Sequence, residues 1–422
     1  MQGVPAEVGG AAAARGMNAQ ERVRHTLADI GARDGELRSF VAVHDEAGAA
    51  RELQRASSSG GALQGLPVGV KDIFDTAALP TRYGSALYSG HQPRSDAAIV
   101  QAIRRAGGVV VGKTSTTEFA FLNPTDTRNP NAPGRTPGGS SAGSAASVAA
   151  GLVPLAVGTQ TGGSVIRPAS YCGVVGFKPT YGVLPTPGLK PFSWSLDTVG
   201  LFTRTVDEMA ACASAIAGQD WSRPGGGGTP VFGIAWAYPW EPLSASGRKA
   251  LEAAAAALRE SGATVRDVHL PEWLGPVFQA HDAVQGWEAS RALADEYEFH
   301  ADALSPILRD YLTQARRVDD ARYEAGLADA AAGRQNLSTL FDGIDVLLTP
   351  GAPDEPPQGY GSTGASTWNR AWTLLHVPCL NVPGLQGVNG LPMGVQVIAP
   401  IREEALCLRA GRVLQNALRQ RG

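Results

Sequence analysis

The chain has 422 residues, 43% hydrophobic and 18% charged, and its 36 basic against 39 acidic side chains leave a formal net charge of −3. That length can bury a large core, and the near-neutral balance offers neither the basic excess of a nucleic-acid or membrane binder nor the acidic run of a disordered tail. Four cysteines, Cys172, Cys212, Cys379 and Cys407, stand far apart with no CxxC pair, which fits buried thiols in a reducing compartment and not a disulfide or zinc framework.

The periodicity predicts helices alternating with short apolar strands. Asn18 caps a helix through Val23, Leu27 and Ile30. A helix over Ala97 to Ala106 leads into the β-branched run Val109-Val110-Val111, and a helix over Ser144 to Ala150 precedes a strand at Leu155 to Val157. A helix follows at Val206 to Ile216, a strand at Val231 to Ile234, an Ala-rich helix at Ser246 to Ser261 and a strand at Thr264 to Val268. Two long helices then lie between Asp282 and Phe341. Strands at Val346 to Leu348 and Val395 to Ile398 and a helix from Glu403 to Leu418 complete the series. The expected fold class is α/β, with helices on both faces of the sheet.

No fixed-period repeat is present. The 52 glycines and 29 prolines, about a fifth of the chain against an average of about 12%, are bunched. Two bunches, Ser222 to Thr229 and Gly351 to Gly364, read as loop insertions or boundaries. The longest nearly apolar run, Ala145 to Gly158, is too short to span a bilayer and carries Pro154. The segment with Glu7 lacks the apolar core of a signal peptide, so the expectation is a cytoplasmic protein.

Three familiar motifs occur in the wrong setting. Gly107 to Thr114 spells a phosphate-binding GxxxxGK[ST], but a helix precedes it and the strand occupies the positions a phosphate loop needs. Gly139-Ser140-Ser141-Ala142-Gly143 spells a GxSxG elbow, but Asn129 to Thr136 before it cannot be the buried strand an elbow requires. Ser246 to Lys249 spells SxxK. There Ser246 reads better as the cap of the Ala-rich helix, with Lys249 facing solvent.

A fourth constellation remains. Gly65 to Asp72 is an apolar run ending in Lys71, one of only five lysines among the 36 basic residues. Pro137 to Ser144 is a small-residue loop opening a helix, and Gly158 to Pro168 follows a strand and turns sharply. Each alone is a tight turn, for which glycine is the ordinary residue. Together they offer a chemistry. A lysine at the end of a buried strand is driven towards its neutral form and can serve as a base, a serine can relay a proton, and consecutive glycines before a serine bare backbone N–H groups for an oxyanion.

At these residues the sequence resembles the amidase signature family. Gly138 to Pro168 is similar to its Gly/Ser-rich block, and Gly69-Val70-Lys71-Asp72 to the segment holding its lysine. The similarity continues through Tyr171 to Thr180, Leu196 to Gly200, Pro378 to Pro383 and Leu391 to Gln396. The resemblance implies one domain over residues 1–422, with its catalytic Gly/Ser-rich core at roughly 60–210 and a mixed β-sheet covered by helices on both sides. It implies a Ser-cis-Ser-Lys triad with Ser164 as nucleophile, Ser140 as the bridging serine in a cis peptide and Lys71 as base, Ser141 being the alternative bridge. The backbone N–H groups of Thr161, Gly162, Gly163 and Ser164 would form the oxyanion hole, and no metal or organic cofactor would take part. Arg167 stands three residues past Ser164 rather than two. This spacing, with Asn369 to Thr373, is similar to malonamidase-type hydrolases; at that position Arg167 either reaches the pocket and binds a substrate carboxylate or is structural. The expected activity is hydrolysis of a small, malonamate-like amide to a carboxylic acid and ammonia by a homodimer that binds neither nucleic acid nor membrane. The alternatives are an A-type component of a tRNA-dependent amidotransferase complex and an inactive scaffold.

Overall fold

The computed structural model describes residues 17–222 and 228–421. Glu7 and part of the patch from Ser222 to Thr229 lie outside them. The described strands, in chain order, are β1 (Phe40–Val43), β2 (Pro67–Lys71), β3 (Val109–Thr114), β4 (Leu155–Gln160), β5 (Val175–Lys178), β6 (Thr198–Thr203), β7 (Phe232–Ala235), β8 (Val265–Val268), β9 (Val346–Pro350), β10 (Cys379–Gln386) and β11 (Pro392–Ile398). They form one 11-stranded mixed sheet in the order β1-β3-β2-β4-β6-β5-β10-β11-β9-β7-β8.

Period-two alternation sends side chains to two cores. Val68, Val70, Val110, Leu155 and Val157 face the helices Ala98–Arg105, Val206–Ala217, Ala245–Glu260 and Glu404–Arg421. Val109, Val111 and Ala156 face the helices Ala19–Leu37 and Ala142–Ala149 on the other side. Burial on both faces explains why the central strands read as unbroken apolar runs. Because β2 runs parallel to β4, Lys71 and Thr159 arrive at the same edge of the sheet. Among the described residues no helix is long and apolar enough to cross a membrane.

Several predicted elements need correction. β1, β5, β6 and β10 are not visible in the periodicity. Glycine breaks the pattern in two of them, for the helix Ile166–Cys172 and its approach pack there: a Cβ on Gly176 would lie 2.5 Å from Ala169 Cβ, and one on Gly200 2.5 Å from Val165 Cγ2. In β10 a register shift lies between Val382 and Leu385, where Pro383 and Gly384 sit. The two long helices between Asp282 and Phe341 are Leu274–Ala292, Ala294–His300, Pro306–Ala315 and Asp320–Gln335 with a short Leu337–Leu340. Pro306 at a first turn and the capping carboxylate of Asp319, 2.8 Å from the Arg322 N–H, start new helices where the pattern predicts continuation. The Ala-rich helix is capped by Ser244, whose Oγ accepts from Gly247 N–H at 3.0 Å, whereas Ser246 is buried. The helix expected from Ser144 begins at Ala142. The patch Gly351 to Gly364 is a loop, as expected, and it packs on the core block, with Thr363 against Gly139 and Gln358 bridged to Arg135.

Gly143 is where the helix Ala142–Ala149 meets the sheet edge most closely. A Cβ there would lie 2.2 Å from Ser39 O and 2.4 Å from Ser115 N. Gly143→Ala should therefore lower the unfolding free energy by about 1–3 kcal/mol in urea titrations. Gly35→Ala, in the helix Ala19–Leu37 with open space around it, should raise it by up to about 1 kcal/mol.

Candidate active site

The last residue of β2 is fully buried. Lys71 Nζ lies 2.7 Å from Ser140 Oγ and 2.7 Å from Thr159 Oγ1, two neutral hydroxyls. Burial drives its pKa well below the ordinary lysine value, opposed by the charge of Asp197. An amine held this way has a lone pair to offer. The other buried lysine nearby differs: Lys113 on β3 is salt-bridged to Asp72 at 2.9 Å. This accounts for a phosphate-loop spelling with no phosphate loop, since β3 itself fills Val109 to Thr114.

Ser140 follows a cis Gly139–Ser140 peptide. Its carbonyl accepts from Thr117 N–H at 3.2 Å. The Gly139 carbonyl accepts from Arg167 Nη2 at 2.6 Å. Ser141 turns away and donates its hydroxyl to Thr159 O at 3.2 Å. Thus Ser140, not Ser141, is the serine beside Lys71.

The turn after β4 is held by side chains to which the sequence pattern assigns no role. Gln160 Oε1 accepts from the N–H groups of Val165 at 3.0 Å and Ile166 at 3.1 Å, and its amide donates to Thr373 Oγ1 at 2.9 Å. Thr373 donates to Gly162 O, and His281 Nε2 donates to Thr161 O at 3.0 Å. With these carbonyls and later amides engaged, the N–H groups of Thr161, Gly162, Gly163 and Ser164 make no backbone hydrogen bond among the described residues. They form a run of free donors. Gly163 is required there, because a Cβ would lie 2.3 Å from Asn369 Oδ1.

Ser164 is 8% exposed, against 0% for Lys71, Ser140 and Ser141. The structure joins Lys71 to Ser140 and Arg167 to Gly139 directly, but no hydrogen bond joins the Ser164 and Ser140 hydroxyls. Catalytic contacts are often long before substrate binds. Arg167 is 1% exposed, with Nε and Nη1 buried and unpartnered, and burial pushes its pKa down to about 10. Thr159 touches Lys71, and Gln160, Asp197, His281 and Thr373 hold the turn that bears Ser164. His281 carries no sequence signal; the others fall in the segments Gly158 to Pro168, Leu196 to Gly200 and Asn369 to Thr373, in which the resemblance gives them no individual role.

The Amidase family model matches residues 21–408. The chain belongs to the amidase signature family. The A-type component of the glutamyl-tRNA(Gln) amidotransferase from Anaeromyxobacter dehalogenans (strain 2CP-C) is 35% identical over 98% of this chain and 95% of its own length. The 2-amino-5-chloromuconic acid deaminase of Comamonas testosteroni is 35% identical over 82% of this chain and 80% of its own. The crystal structure of an amidase superposes with a TM-score of 0.86 at 30% identity, covering 95% of this chain and 96% of that one. This amidase-family chain is a C–N hydrolase, and it shares the family's large mixed sheet flanked by helices.

The exposure order makes Ser164 the serine that an electrophile reaches first. A fluorophosphonate should modify Ser164, Ser164→Ala should abolish labelling, and Ser141→Ala should retain it. Peptide mapping by mass spectrometry checks the site, and label on Ser141 or Ser246 would reject the assignment.

Proposed function

We propose that this amidase hydrolyses a small linear amide to a carboxylic acid and ammonia through an acyl-enzyme. Ser164 Oγ attacks the carbonyl carbon while its proton passes to Ser140, whose own proton moves to Lys71 Nζ. The amide oxygen, now negative, is received by the free N–H groups of Thr161 to Ser164. The tetrahedral adduct collapses with the C–N bond breaking, and Lys71 returns its proton through Ser140 to the leaving nitrogen, which departs as ammonia. Water then attacks the ester by the same relay in reverse and frees Ser164. The observation that carries this reading is the buried Lys71 amine, whose hydrogen-bond partners are the hydroxyls of Ser140 and Thr159.

The substrate in this proposal carries a carboxylate near the amide, as malonamate does. Supporting it are the unpartnered Nε and Nη1 of Arg167, one turn past Ser164. A buried guanidinium with open donors gains from an anion that satisfies them. A second reading, supported by the relatives that are A-type components of glutamyl-tRNA(Gln) amidotransferases, is that the chain acts within a complex. Ammonia release by the isolated chain, measured over small amides with and without a carboxylate, separates the two readings.

Two variants test the chemistry. Arginine keeps a positive charge but cannot act as a neutral base, so Lys71→Arg should be nearly as inactive as Lys71→Ala. In the wild type, kcat/KM should fall on the acid side as Lys71 gains a proton, at a pH well below the ordinary lysine range. An active Lys71→Arg enzyme would show that the lysine only holds structure. Arg167→Ala should lower kcat/KM for an acidic amide by roughly ten- to several-hundredfold and for a neutral amide of equal length far less. Equal losses on both, with unchanged thermal stability, would leave Arg167 as an organiser of the Gly139 carbonyl.

A further inference from the structure

Asp197 lies in the loop before β6 and is 5% exposed. Its Oδ1 accepts from Thr161 Oγ1 at 2.6 Å, and its Oδ2 accepts from the N–H groups of Phe192 at 2.8 Å and Ser193 at 3.0 Å. Strand register explains the placement. Thr159 pairs with Val199 and Gln160 with Thr198, so Asp197 falls opposite Thr161, at the end of the strand whose Thr159 touches Lys71. One carboxylate therefore grips the first residue of the free N–H run, at the strand end where Thr159 touches the buried amine.

We infer that Asp197 is a positioning residue that supplies the counter-charge for the ammonium Lys71 becomes when it takes the serine proton, and that fixes the Thr161 end of the oxyanion loop. The inference rests on the proposed role of Lys71 as base. No covalent bond to Asp197 is made or broken, and it keeps its negative charge while the proton resides on Lys71. Lys71 Nζ bonds to the hydroxyls of Ser140 and Thr159, so among the described residues an ammonium formed there has no ion-pair partner within bonding distance and gains from the buried Asp197 charge that acts on it. The groups acting electrostatically on Asp197 are Lys71 from β2, Glu288 from the helix Leu274–Ala292 and Tyr181 from the loop after β5. Glu288 is spent on Ser193, Ser195 and Tyr323. Burial pushes the Asp197 pKa up to about 6, so the carboxylate is ionised at neutral pH.

The test is the pH profile of kcat/KM for Asp197→Asn and Thr161→Val beside the wild type. Removing the anion disfavours the protonated amine. Asp197→Asn should therefore lose roughly ten- to a hundredfold in kcat and move the acid limb to lower pH by roughly half a unit or more. Thr161→Val keeps the charge and should lose activity with the limb in place. A full loss in Asp197→Asn with an unmoved limb would overturn the inference and leave Asp197 a structural anchor. In that event an inactive Lys71→Arg would still stand for the base, so the two failures are distinct. If Asp197→Asn does not fold, Asp197→Glu with ε-13C-lysine NMR answers the same question, since only five lysines need assignment. The Lys71 signal should titrate in the glutamate variant within about half a unit of the wild type, and a larger displacement would contradict the role.

Discussion

The burial of one amine among hydroxyls is the constraint on which the rest of the site depends. Lys71 ends a strand with apolar neighbours on both faces of the sheet, and among the described residues it has no ion-pair partner. That arrangement costs stability. Below the ordinary lysine pKa the unfolded chain holds a proton that the folded chain gives up, so this group makes the fold less stable as pH falls. The contrast with Lys113 one strand away is instructive. Lys113 is paired with Asp72, while Lys71 bonds to the hydroxyls of Ser140 and Thr159.

Everything around Lys71 serves to hold two serines and a run of amides in register with it. The Gln160 side chain engages the Val165 and Ile166 N–H groups, and Thr373 and His281 hold the carbonyls of Gly162 and Thr161. Among the described residues the N–H groups from Thr161 to Ser164 stay free of backbone hydrogen bonds. Arg167 reaches back over the same turn to the Gly139 carbonyl, which couples the two Gly/Ser-rich segments through a single buried guanidinium. The small residues are a condition of this closeness, as Asn369 Oδ1 beside Gly163 and Ser39 O beside Gly143 make plain.

Much of this is legible in the sequence. The α/β class follows from helices alternating with apolar runs, and the capping of the first helix by Asn18 is present with its reciprocal Glu21 contact. The setting of the phosphate-loop spelling is readable because a strand cannot also be a phosphate loop. The strands hidden from the pattern are those where glycine or proline serves a crossing helix or a bulge, so local periodicity is surrendered to packing. The partners of the site are hidden for a different reason. Thr159 and Asp197 matter through strand register, and His281 and Thr373 through elements more than a hundred residues away in the chain. No periodicity reports such contacts. The family resemblance reaches the candidate residues Lys71, Ser140 and Ser164 because it draws on several separated segments at once.

Rapid-quench mass spectrometry of the purified chain mixed with a small amide tests the central claim most directly. The account requires an acyl adduct on the peptide containing Ser164, formed before steady-state ammonia release and absent when Lys71 is replaced by alanine. An adduct on another residue, or turnover that proceeds with no adduct and survives loss of Lys71, would contradict it.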